Sequence, residues 1–127
     1  MITADQLLIH ALGDYVLQTN WMANEKTKRS VAALAHVVTY TLPFLALTQS
    51  WLALAVICGT HFVIDRWRLA RFVVFAKNWL GGERRPWSEC SGTGYHSSLP
   101  PFMAVWLMII ADNVLHVAIN GLAIRYL

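Results

Sequence analysis

Four apolar runs, separated by short polar stretches, organise this chain. The first covers about residues 3–22 and opens with "TADQ", where Thr3 and Gln6 have the spacing of a capping box. The second, about 30–48, reads "SVAALAHVVTYTLPFLALT", with Pro43 as the expected kink. The third, about 51–75, follows Ser50 as its N-cap. It is apolar as far as Ile64 and then becomes "DRWRLARFVVFAKNWL", an aromatic face punctuated by Arg66, Arg68, Arg71 and Lys77. That tail reads as a helix leaving the membrane or lying among the headgroups. The fourth covers about 99–124, with Ser98 as a possible cap and Pro100 or Pro101 in its first turn. Each run approaches the roughly 20 residues that a membrane-spanning helix needs. The expected fold is an all-α, integral membrane four-helix bundle forming one domain over 1–127. Residues 81–98, rich in Gly and Ser, form its long loop.

Composition strengthens the membrane reading. The chain of 127 residues is 57% hydrophobic and 13% charged, with a mean hydropathy of +0.46. A soluble domain usually carries about a quarter charged residues. The net charge of +3 is small, and its Lys and Arg cluster between apolar runs. That placement suits membrane topology and argues against a nucleic-acid partner. Cys58 and Cys90 suggest no disulfide framework. "MITADQ" lacks the basic region of a signal peptide, so the first run is expected to stay in the mature protein.

Charge also predicts orientation. Lys26, Lys28 and Arg29 follow the first run, and Arg66 through Arg85 follow the third, whereas the "TQS" turn carries no charge. The positive-inside rule places both basic loops, including 81–98, in the cytoplasm and both termini on the non-cytoplasmic side. Arg125 is the one mild objection. The membrane expected for a bacterial helical protein is the inner one, since outer-membrane proteins are β-barrels. Trp21, Trp51, Trp79 and Trp87 lie near run ends as interface anchors, and Trp106 reads as packing.

Ionisable residues inside the apolar runs point to chemistry. His10 and Asp14 are four apart, His61 and Asp65 repeat that spacing, and Asp112 and His116 reverse it; His36 stands in the second run. Residues four apart share a helical face, about 6 Å apart. Gln18, Thr39, Tyr40, Thr60, Asn113 and Asn120 add polarity nearby. An Asp at a membrane helix centre costs roughly 2.5–3.5 kcal/mol on the insertion scale. A lone His–Asp pair would read as an interhelical clamp. Three pairs and a further His, drawn from all four helices, favour a divalent metal instead, with zinc first and manganese or iron as alternatives. His10, Asp14, His36, His61, Asp65, Asp112 and His116 are the candidate ligands for one or two ions. Asp14, Asp65 and Asp112 are also the candidate catalytic carboxylates. A proton or ion relay and structural polar glue are the competing readings. His96 reads as a solvated loop residue, and Gly13 as a site of close helix approach.

The blocks "HALGDYVLQTNWMA", "AHVVTY", "THFVIDRWR" and "DNVLHVAI" resemble an uncharacterised bacterial and phage family of small membrane proteins, a domain of unknown function. The resemblance covers nearly the whole chain and implies functional roles for His10, Asp14, Gln18, His36, His61, Asp65, Asp112 and His116. More distantly, the arrangement is similar to the LexA-regulated inner-membrane metal-dependent hydrolases. That similarity implies hydrolysis of a lipid or a lipid-linked phosphate or ester.

The expected function is therefore that of a metal-dependent membrane hydrolase, with membrane lipids and a lipid-like substrate as partners and a homo-oligomer as a possible state. One alternative is a proton- or ion-coupled transporter or channel component, whose short helices would need an oligomer. The other is a phage-type membrane effector with a structural metal, acting through the 81–98 loop. The sequence carries no Ser nucleophile elbow, P-loop or His-Glu-x-x-His motif.

Overall fold

The computed structural model describes residues 2–127. The described residues are helical and contain no strand, as the all-α expectation requires. The helices are α1 (Ala4–Ala11), α2 (Asn20–Glu25), α3 (Ser30–Thr41), α4 (Trp51–Trp67), α5 (Ala70–Leu80), α6 (Trp87–Cys90) and α7 (Pro101–Tyr126). A π-helical turn, Leu12–Val16, extends α1, and a 3₁₀ turn, Leu42–Ala46, extends α3.

The chain divides into two compact units, residues 2–67 with 116–127, and residues 68–115. In the first, α1 begins at the anticipated capping box. Gln6 N donates to Thr3 Oγ1 at 3.3 Å, and Thr3 N donates to Gln6 Oε1 at 3.1 Å. The π turn breaks the regular helix expected over 3–22, and a new cap forms at Thr19, whose Oγ1 accepts from Met22 N. Near Pro43, which supplies no amide donor, α3 tightens into the 3₁₀ turn. Ser50 Oγ accepts from Ala53 N at the start of α4 and donates to the Leu127 carbonyl. The core of this unit is Tyr40, Phe44, Ala53, Leu54, Ile57 and Ala123.

The third run is not one helix. It stops at Trp67, and Arg68 takes a left-handed φ of 52°, the only positive value at a described non-glycine residue. That conformation costs roughly 1–2 kcal/mol for an L-residue. Arg68 Nη2 in turn donates to the Gly92 carbonyl at 2.9 Å. Within residues 68–115 the 81–98 segment folds back on α5. Trp87 stacks on Phe72 with ring centroids 4.8 Å apart, and Arg71 donates to the Ser91 carbonyl. Gly94, at φ 86°, lies so close to the Arg71 carbonyl and Val74 that no Cβ fits. His96, expected to be solvated, holds Glu89 through Nε2 at 2.9 Å and Ser98 through Nδ1 at 2.8 Å. Cys90 is buried, and burial together with the adjacent Glu89 carboxylate pushes its thiol pKa up.

One described helix, α7, is both long and apolar enough to cross a membrane. Its Phe102, Trp106, Ile110, Val114 and Leu122 are exposed, while its His116 and Asn120 are buried. Ser30–Ala46 is a shorter apolar stretch, and α4 has 17 residues.

Candidate metal centre

The first unit gathers most of its buried polar side chains at one place. Asp14 comes from the π turn, His36 from α3, and His61 and Asp65 from successive turns of α4. The π turn matters here. It adds a residue to the helical turn and carries Gly13, whose missing side chain lets the backbone lie against Tyr40. A Cβ at Gly13 would stand 2.6 Å from Tyr40 Cδ2 and 3.2 Å from its Cα. Such π turns often occur at functional sites.

Four ligand atoms converge. His36 Nε2 lies 3.1 Å from Asp14 Oδ1, 3.1 Å from Asp65 Oδ2 and 3.0 Å from His61 Nε2. His61 Nε2 lies 3.3 Å from Asp14 Oδ1 and 3.2 Å from Asp65 Oδ2. Donors held about 2.0 Å from a tetrahedral ion stand about 3.3 Å from one another. The observed spacing would fit a coordination shell, and the same atoms make hydrogen bonds and ion pairs with one another in the absence of an ion. With the imidazole protons on Nδ1, two nitrogen lone pairs and two carboxylate oxygens face one buried point. A cation satisfies all four, and none of these side chains is more than slightly exposed. Without an ion, His36 donates through Nε2 to Asp14 Oδ1 at 3.1 Å, while His36 Nδ1 and His61 Nδ1 have no hydrogen-bond partner among the described residues; an ion at the cluster would move these protons to Nδ1.

Outside this shell the polar groups orient it. Asn120 Nδ2 donates to Tyr40 Oη at 2.6 Å, so the Tyr40 hydroxyl proton is directed to His10 Nδ1, 2.8 Å away. That leaves the His10 proton on Nε2, which faces Asp14 Oδ2 at 3.6 Å, beyond hydrogen-bond length. His10 therefore backs Asp14 and stands one step outside the four converging atoms. His116 Nε2 faces the other oxygen of Asp65 at 3.4 Å. Its ring stacks on His61 at 4.0 Å, and His61 stacks on Tyr40 at 3.7 Å. Partners of this kind hold ligand rings and carboxylates in position.

The seven sequence candidates thus take different places. Asp14, His36, His61 and Asp65 form a group that could hold a metal ion, while His10 and His116 flank its carboxylates. Asp112 is half-buried on α7, one turn before His116 and in residues 68–115. Gln18 follows the π turn, half-buried.

Two residues that the sequence assigned only to topology also belong here. Lys26 Nζ lies 2.7 Å from Asp65 Oδ2 and 3.3 Å from His36 Nε2. Arg66 closes the connection that carries it, donating through Nη1 to the Thr27 carbonyl at 2.7 Å and through Nη2 to the Lys28 carbonyl at 3.1 Å. The only sequence signal is the position of Arg66 directly after the His61–Asp65 pair; nothing in the spacing marks Lys26.

No curated protein and no solved structure matches this chain significantly. A family described as "Protein of unknown function (DUF3307)" matches residues 2–119, nearly the whole chain, in keeping with the resemblance of its His–Asp blocks. The protein is a member of the DUF3307 family.

Proposed function

We propose that this protein is an integral membrane metalloenzyme, a hydrolase of lipid or lipid-linked phosphates or esters, in the inner membrane of a bacterial cell. The convergence of Asp14, His36, His61 and Asp65 at coordination distances carries the reading. Two imidazoles and two carboxylates suit zinc first, with manganese and iron as alternatives. A divalent ion held there supplies Lewis acidity and lowers the pKa of water it binds. Asp14 and Asp65 each present a second oxygen that can take a proton from an attacking water, and His10 and His116 face those oxygens. The Tyr40 hydroxyl keeps His10 in the tautomer that presents an N–H toward Asp14.

The membrane part of the proposal rests on exposed apolar surface. Leu8, Val16, Val31, Leu34, Val38, Trp51 and Leu52, besides the α7 residues, lie outside any core. Contiguous apolar surface of this kind needs lipid or another protein to cover it. Four spanning segments, with both termini on the non-cytoplasmic side, would give it that cover.

Metal content of detergent-purified protein tests the proposal. The expected result is stoichiometric zinc, manganese or iron that is lost in His36→Ala and His61→Ala. The metal-loaded protein should then hydrolyse at least one member of a lipid phosphate and ester panel. A folded protein that takes up none of these ions would sink the metal reading. Ion flux into liposomes without any hydrolysis would replace the enzyme by a transporter.

A further inference from the structure

Lys26 is the cation aimed at the cluster. It ends α2, its side chain is 18% exposed, and its ammonium is held between Asp65 Oδ2 and His36 Nε2. Both of those atoms belong to the ligand set, so the ammonium and a divalent ion compete for the same lone pairs. Arg66 is turned to the 27–30 connection instead, donating to the Thr27 and Lys28 carbonyls and to Ser30 Oγ. Those same bonds tie the 27–30 connection to α4 and keep Lys26 beside the cluster when its contacts to Asp65 and His36 are given up.

Charge balance decides the fate of that ammonium. Asp14 and Asp65 carry two negative charges, and a divalent ion balances them. Lys26 then remains as an uncompensated positive charge in a nearly closed, low-dielectric setting. We infer that Lys26 is the anion-binding residue of this site: on ion entry its ammonium leaves Asp65 and His36 and, next to the ion, receives the phosphate oxygens of the substrate. The inference rests on the proposed metal centre and narrows its substrate to a phosphate-bearing anion. A lysine suits that task as a compact point charge with three donors.

The test uses the full-length protein in detergent, loaded with cobalt, whose visible spectrum reports coordination. Cobalt affinity is measured first, then binding of inorganic phosphate and of short-chain phosphatidic acid. Lys26→Met should bind cobalt more tightly than wild type and phosphate at least about tenfold more weakly. Lys26→Arg should keep phosphate affinity within a few fold. Lys26→Gln, which keeps a polar head, repeats the measurement if the Met variant is unstable. Tighter binding of phosphatidic acid than of inorganic phosphate would assign the anion to a lipid headgroup, and equal binding to free phosphate. Unchanged phosphate affinity in cobalt-loaded Lys26→Met or Lys26→Gln overturns the assignment while leaving the metal centre standing. Failure of the wild type to bind cobalt overturns the metal centre itself, and this inference with it.

Discussion

The Tyr40 ring lies face to face with that of His61, centroids 3.7 Å apart, while its hydroxyl joins Asn120 to His10. One buried side chain thus supports a candidate ligand imidazole by contact and a candidate ligand carboxylate through a hydrogen-bonded His. Tyr40→Phe separates the two roles. It keeps the stack and leaves the Asn120 amide and His10 Nδ1 without the hydroxyl, at a cost of about 1–3 kcal/mol. Metal affinity should fall by about tenfold or more, as it does when outer partners of ligands are removed. Thermal unfolding in detergent and a chelator competition read the two effects separately. Unchanged metal affinity would show that His10 does not orient Asp14.

Gly13 and Gly59 both lie in helical turns, and only one can accept a methyl group. A Cβ at Gly13 meets Tyr40 at 2.6 Å, whereas at Gly59 nothing lies within 4 Å. Gly13→Ala should destabilise the protein by about 1–3 kcal/mol, the cost of overpacking, and reduce metal binding as Tyr40 shifts. Gly59→Ala, inside α4, should be neutral or stabilising by up to about 1 kcal/mol. The comparison is made on melting temperatures of the two variants side by side. Equal effects would deny the close packing of the π turn on Tyr40.

The hydrophobic pattern and the four-residue His–Asp spacing made much of this site legible, because both depend on local helical geometry. The capping box at Thr3 and the change of helix at Pro43 were legible for the same reason. What escaped was long-range. Lys26 and Arg66 look like ordinary topology charges until α2 and α4 meet in space. The π turn at 12–16 and the left-handed Arg68 are backbone departures that side-chain periodicity does not encode. Nor does spacing distinguish His36 and His61, which enter the ligand set, from His10 and His116, which flank its carboxylates. Only the direction of each ring nitrogen makes that distinction.

Arg66 gives a prediction that charge alone would miss. Its guanidinium forks onto two backbone carbonyls, at Thr27 and Lys28, a geometry that an ammonium cannot reproduce. Arg66→Lys keeps the positive charge. It should loosen the 27–30 connection, seen as faster proteolysis there and faster amide exchange at residues 27–30. If Arg66→Lys matches wild type in both, the two carbonyl bonds do not hold the connection.

Ion binding and the two ligand carboxylates should separate in a stability measurement. An ion that binds only the folded state adds about 2.7 kcal/mol at a hundred times its dissociation constant. For a chain of this size that is a rise of several degrees or more in melting temperature. Asp14→Asn and Asp65→Asn should both abolish the rise, since each removes an anionic ligand. They should differ without metal. Asp65 is the carboxylate that holds Lys26, 2.7 Å away. Asp65→Asn leaves that ammonium without its carboxylate and should destabilise the metal-free protein by about 1.5–3 kcal/mol. Asp14 faces only the imidazoles of His10, His36 and His61, which an Asn oxygen can still engage, so Asp14→Asn should destabilise the metal-free protein less than Asp65→Asn does. Melting curves of the three proteins with chelator and with added zinc distinguish these outcomes. A zinc-dependent rise that survives both substitutions would place the ion elsewhere.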